Sequence, residues 1–150
     1  YSKYDCNRMR AIENHFWAVE AIANYMGYHV FDDTSWKLTH PRTIQMGRGL
    51  IEGPFAHCVQ NVSSLPNLAL FMGQSRQQFL TVNNYHYAAT LAYFLLEGQG
   101  GKYRERFITF LSVIHKTKDE AKSFAKAFPG VDLDALHAEW MTFVRKITLD

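Results

Sequence analysis

The sequence has little of what marks several large classes of protein. It contains two cysteines, Cys6 and Cys58, which suffice for one disulfide but not for a disulfide framework. Whether these two residues pair stays open from the sequence. The 16 Lys and Arg residues nearly balance the 14 Asp and Glu residues, giving a net charge of +2. This charge is small and dispersed along the chain, so we expect no nucleic-acid partner.

Long apolar runs and the common nucleotide and hydrolase motifs are also missing. The longest apolar run, residues 88–96, contains Thr90 and ends at Glu97, well short of the roughly 20 residues that a membrane span requires. The sequence has neither a G-x-S-x-G elbow nor a G-x-x-x-x-G-K-[S/T] loop. The chain starts at Tyr1 instead of Met, so we expect a processed product or a fragment of a larger protein.

Apolar residues are plentiful and regularly spaced. They make up 47% of the chain, with 15% aromatic residues, which is enough for one buried core in a single domain over residues 1–150. The apolar side chains recur at steps of three and four, the spacing of helices that pack by one face. The fold class predicted is therefore mainly α, a single-domain helical bundle. Long helices are predicted over residues 8–26, 84–97, 102–116, 119–128 and 133–147, and short ones over residues 55–62, 68–72 and 75–79.

Local signals predict where several of these elements begin and end. Residues 28–31 are apolar and extended in character, and residues 32–35 form a turn cluster. Three glycines in residues 39–54 argue against a regular long helix there. The residues expected to cap helices are Ser75, Asp132 and either Asn83 or Asn84.

One carboxylate, Glu20, stands in the middle of the apolar segment formed by residues 16–26. It follows Trp17 by one helical turn, so its charge is expected beside the apolar side of the helix. A buried carboxylate is costly unless it is paired, hydrogen-bonded or bound to a metal. Two interpretations remain open from the residues alone. Glu20 is either a metal ligand or a hydrogen-bonded carboxylate at a helix interface, with Arg8 or Arg10 as the partner.

The pattern around Glu20 also resembles a known family. Residues Trp17 to Tyr25 are similar to the W-x-x-E-G-x-A-x-Y segment of gluzincin-type zinc peptidases, with Ala21 in the place of the glycine. Further segments resemble peptidase-MA-like families: Ser64–Leu68 with Phe79, Tyr87–Leu96, Lys102–Arg104 and Leu133–Trp140. The resemblance implies the C-terminal half of a gluzincin catalytic domain, from a secreted or periplasmic protein.

In those peptidases two histidines of an H-E-x-x-H motif bind zinc, and the glutamate that Glu20 matches is the third ligand. No H-E-x-x-H occurs in this chain. The resemblance therefore implies that Glu20 is a zinc ligand in a larger parent protein, whose substrate is a peptide or protein. This chain would supply that ligand and part of the substrate cleft. By itself it would be inactive and would not bind zinc tightly.

Three residues at the start of the predicted helix 84–97 are weaker candidates for catalysis. Gluzincins often place a tyrosine or histidine near the zinc to stabilise the oxyanion, and the resemblance allows Tyr85, His86 or Tyr87 that role. The alternative is that the two tyrosines pack and His86 caps the helix or faces water. Five other histidines have no second ligand at nearby helical spacing and are expected to be structural or surface residues; they are His29, His40, His57, His115 and His137.

The second interpretation of the whole chain is a non-catalytic helical interaction or structural domain. Its aromatic residues would then line a groove for a partner. The residues proposed for that groove are Phe16, Trp17, Trp36, Phe55 and Phe71. A chain cut from a larger fold would also expose an apolar patch, through which it could dimerise.

Overall fold

The structure is a computed structural model that describes residues 12–27, 29–38, 53–116 and 120–149. Its helices are α1 (Phe16–Gly27), α2 (Pro54–Gln60), α3 (Leu68–Met72), α4 (Arg76–Phe79), α5 (Val82–Glu97), α6 (Arg104–Lys116), α7 (Ser123–Ala127) and α8 (Leu133–Leu149). Two 3-10 turns span Val62–Ser64 and Gly98–Gly100, and two short strands are β1 (His29–Phe31) and β2 (Trp36–Leu38). The predicted fold class, a mainly α single-domain bundle, is confirmed.

Helix α5 forms the centre of the bundle, and α1 lies along it. All residues from 87 to 96 are buried because this stretch is apolar on every side. Phe16, at the beginning of α1, packs on Phe79 just before α5, with ring centroids 5.4 Å apart. Tyr25, near the end of α1, packs on Tyr93 at 6.0 Å. The two helices therefore run in the same direction, and residues 28–81 connect them.

Trp17 fixes α1 in the main core. Its side chain is 2% exposed and stacks on Phe107 and Phe110 of α6, with ring centroids 6.2 and 5.8 Å away. Phe71 and Phe124 close the other sides of the indole. Aromatic pairs of this kind contribute about 0.5–1.5 kcal/mol each beyond the area they bury. These contacts hold the beginning of α1 against α6 and the rest of the core.

Several helix boundaries differ from the prediction. Helix α1 begins at Phe16, directly after a turn at residues 14–15 that includes Asn14, a residue type favoured in turns. The helix predicted over residues 119–128 reduces to α7, Ser123–Ala127. There the Phe124 and Phe128 rings stack at 4.2 Å and hold the buried side in place.

The start of α5 corrects one predicted cap. Thr81 precedes the helix, and Asn84 lies inside it. The Asn84 side-chain amide donates to the carbonyls of Gln78 and Phe79, at 3.3 and 3.1 Å. Asn84 therefore joins α4 to α5 instead of capping α5. The other two predicted caps are present, because the Ser75 hydroxyl accepts from a helical backbone N–H of α4 and the Asp132 carboxylate accepts from one of α8.

The predicted turn over residues 32–35 joins β1 to β2, a strand that the sequence did not predict. The Asp32 carboxylate accepts from the backbone N–H groups of Thr34 and Ser35 and fixes the turn. The antiparallel register pairs Phe31 with Trp36 at the turn end of the hairpin. The expectation for residues 39–52 lies outside the described residues.

Candidate functional site

Glu20 lies half-buried on α1, between the buried beginning of the helix and its exposed end. The charged and ionisable neighbours that act on it are Arg76 of α4 and Tyr85 of α5. The Arg76 guanidinium also lies over the Phe16 ring, 4.8 Å from its centroid. The Asn24 side chain donates to the backbone carbonyl of Glu20 at 2.8 Å. Within the described residues, no hydrogen bond or ion pair reaches the Glu20 carboxylate itself.

The electrostatics of this carboxylate follow from its position. Burial raises the pKa of Glu20 above its ordinary value, and attraction to Arg76 offsets only part of that rise. The negative charge of Glu20 in turn helps burial to raise the pKa of Tyr85. Glu20 is therefore a carboxylate whose charge is disfavoured by its surroundings. A cation placed beside it would reverse that effect.

The sequence left two alternatives for Glu20, a metal ligand and a hydrogen-bonded carboxylate at a helix interface. Arg8 and Arg10, the partners suggested for a hydrogen-bonded carboxylate, lie outside those residues. Ala21, which replaces the family glycine, is fully buried in the main core cluster, so its methyl group packs inside the bundle. Glu20 as a zinc ligand stays a prediction.

His86 and Tyr87, the other predicted site residues, contact helix α2. The His86 ring lies 4.8 Å from the His57 ring, and the Tyr87 ring lies 6.0 Å from it. Tyr87 is buried and also packs on Phe71 at 6.2 Å. Successive residues of a helix point about 100° apart, so Tyr85, His86 and Tyr87 point in different directions. Of the three, Tyr85 is the residue whose pKa is affected by the charge of Glu20. The structure thus brings Glu20 together with Tyr85, while a catalytic role for His86 or Tyr87 stays a prediction.

The pairing of His57 with His86 is a feature that the sequence reasoning missed. His57 was expected to be isolated, because the two residues are far apart in the chain. They meet because α2 packs along α5. No local spacing could have indicated this, since the contact depends on how the two helices pack. Beside the pair, burial raises the pKa of the Cys58 thiol to about 11, so this thiol is protonated and unreactive at neutral pH.

The described residues contain no group of three or more His, Cys, Asp or Glu side chains arranged to hold a metal ion. A catalytic zinc site normally needs three protein ligands. Glu20 would therefore require ligands from elsewhere to hold zinc.

In the part of the chain that the structure describes, no helix is both long enough and apolar enough to cross a membrane.

No known protein family, curated protein or solved structure matches this chain. The function is therefore argued from the site. The features that bear on it are the Glu20 carboxylate, its two neighbours and the paired histidines.

Proposed function

We propose that this chain is the C-terminal helical portion of a zinc-dependent peptidase, in which Glu20 is the third zinc ligand. The observation that carries the proposal is a half-buried carboxylate that receives no hydrogen bond from the described residues. The parent protein would supply two histidines and a general base on an H-E-x-x-H helix. The chain alone would be inactive, because one carboxylate cannot hold a catalytic zinc.

Zinc binding would remove the electrostatic penalty at Glu20. An adjacent divalent cation favours the ionised form of a carboxylate and lowers its pKa. The neighbouring Trp17, one turn earlier, is held between aromatic rings of the core. A ligand on such a rigid helix keeps a fixed position, which a metal site needs. Glu20 is therefore well placed to complete a site whose other ligands come from outside this chain.

Among the three candidates for oxyanion stabilisation, Tyr85, His86 and Tyr87, the proposal favours Tyr85, because it is the one on which the charge of Glu20 acts. Its phenol has a raised pKa, caused by burial and by the charge of Glu20, so the hydroxyl group remains protonated at neutral pH. A protonated hydroxyl beside the metal ligand can donate a hydrogen bond to the oxyanion that forms when water attacks a peptide carbonyl. The substrate class in this proposal is a peptide or an unfolded protein.

The proposal is tested on the complete coding sequence. We expect an H-E-x-x-H motif encoded upstream of Tyr1 and zinc-dependent cleavage of an unfolded protein substrate. Glu20→Gln should abolish that cleavage, because the neutral amide is a poor zinc ligand. Glu105→Gln, which changes an exposed carboxylate on α6, should leave it unchanged. A reading frame that starts at this chain without such a motif, or an active Glu20→Gln protein, would refute the proposal.

One observation favours the second candidate, an interaction domain. Phe31 and Trp36 are 52% and 70% exposed at the hairpin, with ring centroids 5.4 Å apart. The larger aromatic groove predicted from the sequence is not formed, because the other four residues proposed for it are buried; they are Phe16, Trp17, Phe55 and Phe71. If the hairpin mediates dimerisation, sedimentation should detect a dimer that Trp36→Ser abolishes. A monomer at all concentrations would exclude that dimer.

A further inference from the structure

The His57 and His86 rings lie beside each other between α2 and α5, with centroids 4.8 Å apart and planes inclined by 31°. We propose that these two histidines form a binding site for a divalent transition-metal ion such as Zn²⁺. This site is separate from Glu20 and does not depend on the proposed peptidase function. Imidazole nitrogens are common ligands of zinc, nickel and copper ions.

The ring separation fits a shared metal ion. Zinc binds imidazole nitrogen at about 2.0–2.1 Å in tetrahedral geometry, which places the centroids of two coordinating rings roughly 5 Å apart. The observed 4.8 Å matches that separation. Rotation of the side chains would direct one nitrogen of each ring toward a common ion.

The unpaired nitrogen of His57 supports the same conclusion. Its Nε2 atom is buried and has no hydrogen-bond partner among the described residues. Buried polar atoms are usually satisfied by a hydrogen bond, and this nitrogen is one of six buried side-chain atoms in the described residues that have none. A bound metal ion would satisfy a ring nitrogen that the protein leaves without a partner.

Gly53 and the protonation state of His86 complete the site. A side chain at Gly53 would place its Cβ 3.1 Å from the His86 Cε1 atom, so the glycine leaves room for the ring beside the start of α2. Burial and the nearby His57 lower the pKa of His86. His86 is therefore neutral at pH 7, and the neutral imidazole is the form that binds metals.

The adjacent cysteine is not a third ligand. The Cys58 sulfur lies 3.5 Å from the Thr90 hydroxyl group and 3.9 Å from the His86 backbone carbonyl. These contacts direct the thiol into the bundle. The site thus has two protein ligands, and water completes the coordination. Its affinity should be micromolar, weaker than that of a zinc site with three protein ligands.

Calorimetric titration of the 150-residue chain with Zn²⁺ at neutral pH tests the site. We expect one ion bound per chain in the micromolar range. His57→Gln and His86→Gln should each weaken binding by at least about tenfold, since even residues that only support a ligand contribute 10–100-fold to metal affinity. His115→Gln is the matched control and should bind as the wild type does. Glu20→Gln should also bind normally, which separates this result from that of the proposed peptidase site.

A second measurement avoids dependence on variants that fail to fold. Paramagnetic Co²⁺ added to the wild-type chain should shift the ring-proton NMR signals of His57 and His86 together. Shifts confined to one of the two rings, or to other histidines, would overturn the proposal. So would the absence of binding at micromolar Zn²⁺, or unchanged affinity in folded His57→Gln and His86→Gln chains, since the two rings would then form only a stacked pair.

Discussion

Two half-buried glutamates lie near opposite ends of the paired helices α1 and α5, and their surroundings differ completely. Glu97 accepts a hydrogen bond from the Tyr25 hydroxyl at 2.6 Å on one oxygen, and from the Arg104 guanidinium at 2.8 Å on the other. The Glu20 carboxylate receives none from the described residues. Of these two glutamates, Glu97 therefore has hydrogen-bond partners for its carboxylate among the described residues, and Glu20 has none. The Glu97 carboxylate links helices of the bundle, whereas Glu20 as a zinc ligand stays a prediction.

The Glu97 network also has a clear structural consequence. Arg104 donates through Nε to the Leu96 carbonyl at 2.8 Å, in addition to its contact with Glu97. This fastens the beginning of α6 to the end of α5 across the glycine turn. Tyr25 ties the end of α1 to the same point. Three helices therefore meet at Glu97, whereas the Glu20 carboxylate receives no hydrogen bond from the part of the chain that the structure describes.

The largest loss of stability is expected from truncating Trp17, which packs α1 against the core one turn before Glu20. Trp17→Ala should lower the free energy of unfolding by about 3–5 kcal/mol, the usual range for truncating a buried aromatic residue. Urea denaturation followed by circular dichroism measures this. The control is Trp36→Ala at the exposed hairpin, which should change stability by less than about 0.5 kcal/mol. Similar losses in the two variants would show that Trp17 does not anchor α1.

The next largest effect is expected at Glu97. Glu97→Gln should destabilise the chain by about 1–2 kcal/mol, because the amide keeps one acceptor but loses the charge-assisted bond to a partly exposed arginine. The same urea titration measures the change, with Glu105→Gln as the exposed control. An unchanged urea denaturation midpoint for Glu97→Gln would show that the hydrogen bonds of Glu97 do not stabilise the bundle.

Glu20→Gln should change the free energy of unfolding in the opposite direction and stabilise the chain. Burial raises the pKa of Glu20 in the folded state, so ionisation at neutral pH costs stability, and the amide should raise the free energy of unfolding by about 0.5 kcal/mol, a small gain because solvent screens a half-buried charge. The gain should vanish below the ordinary glutamate pKa, where the carboxyl group is protonated in both states, and grow as the pH rises. Metal-free chains compared at acidic and neutral pH test this. Destabilisation by Glu20→Gln would indicate a hydrogen-bonded structural carboxylate.

The smallest expected effect is on the pH dependence of stability and comes from His86, which pairs with His57. The pKa of His86 is lowered in the folded state, so the unfolded chain takes up its proton first, and stability should fall as the pH drops below the ordinary histidine range. His86→Gln should remove a few tenths of a kcal/mol from that decline in metal-free buffer. A variant that follows the wild-type pH profile would show that protonation of His86 is not opposed by the fold.

What could be predicted from the sequence depended on short-range chemistry. The turn at Asp32 and the cap at Ser75 were predicted correctly because each is formed by residues within three positions of one another. The apolar spacing of α5 likewise predicted a helix whose interior is buried. These features need no knowledge of the rest of the fold.

The features that decide the site depend on tertiary packing. Tyr85 lies beside Glu20 because α1 packs along α5, and His57 meets His86 because α2 does the same. Asn84 was expected as a cap, and it instead bonds to the preceding helix α4. In each case the competing interaction comes from another element, which no spacing within one helix could indicate.

The most direct test compares the two glutamates in the complete protein, by elemental analysis of zinc in purified Glu20→Gln and Glu97→Gln variants after dialysis against metal-free buffer, which empties the weaker site proposed at His57 and His86. The Glu97→Gln protein should retain one zinc ion per chain although it is less stable, and the Glu20→Gln protein should lose the ion although its helices are intact. Zinc retained in Glu20→Gln, or absent from the wild type, would contradict the assignment of Glu20 as a metal ligand.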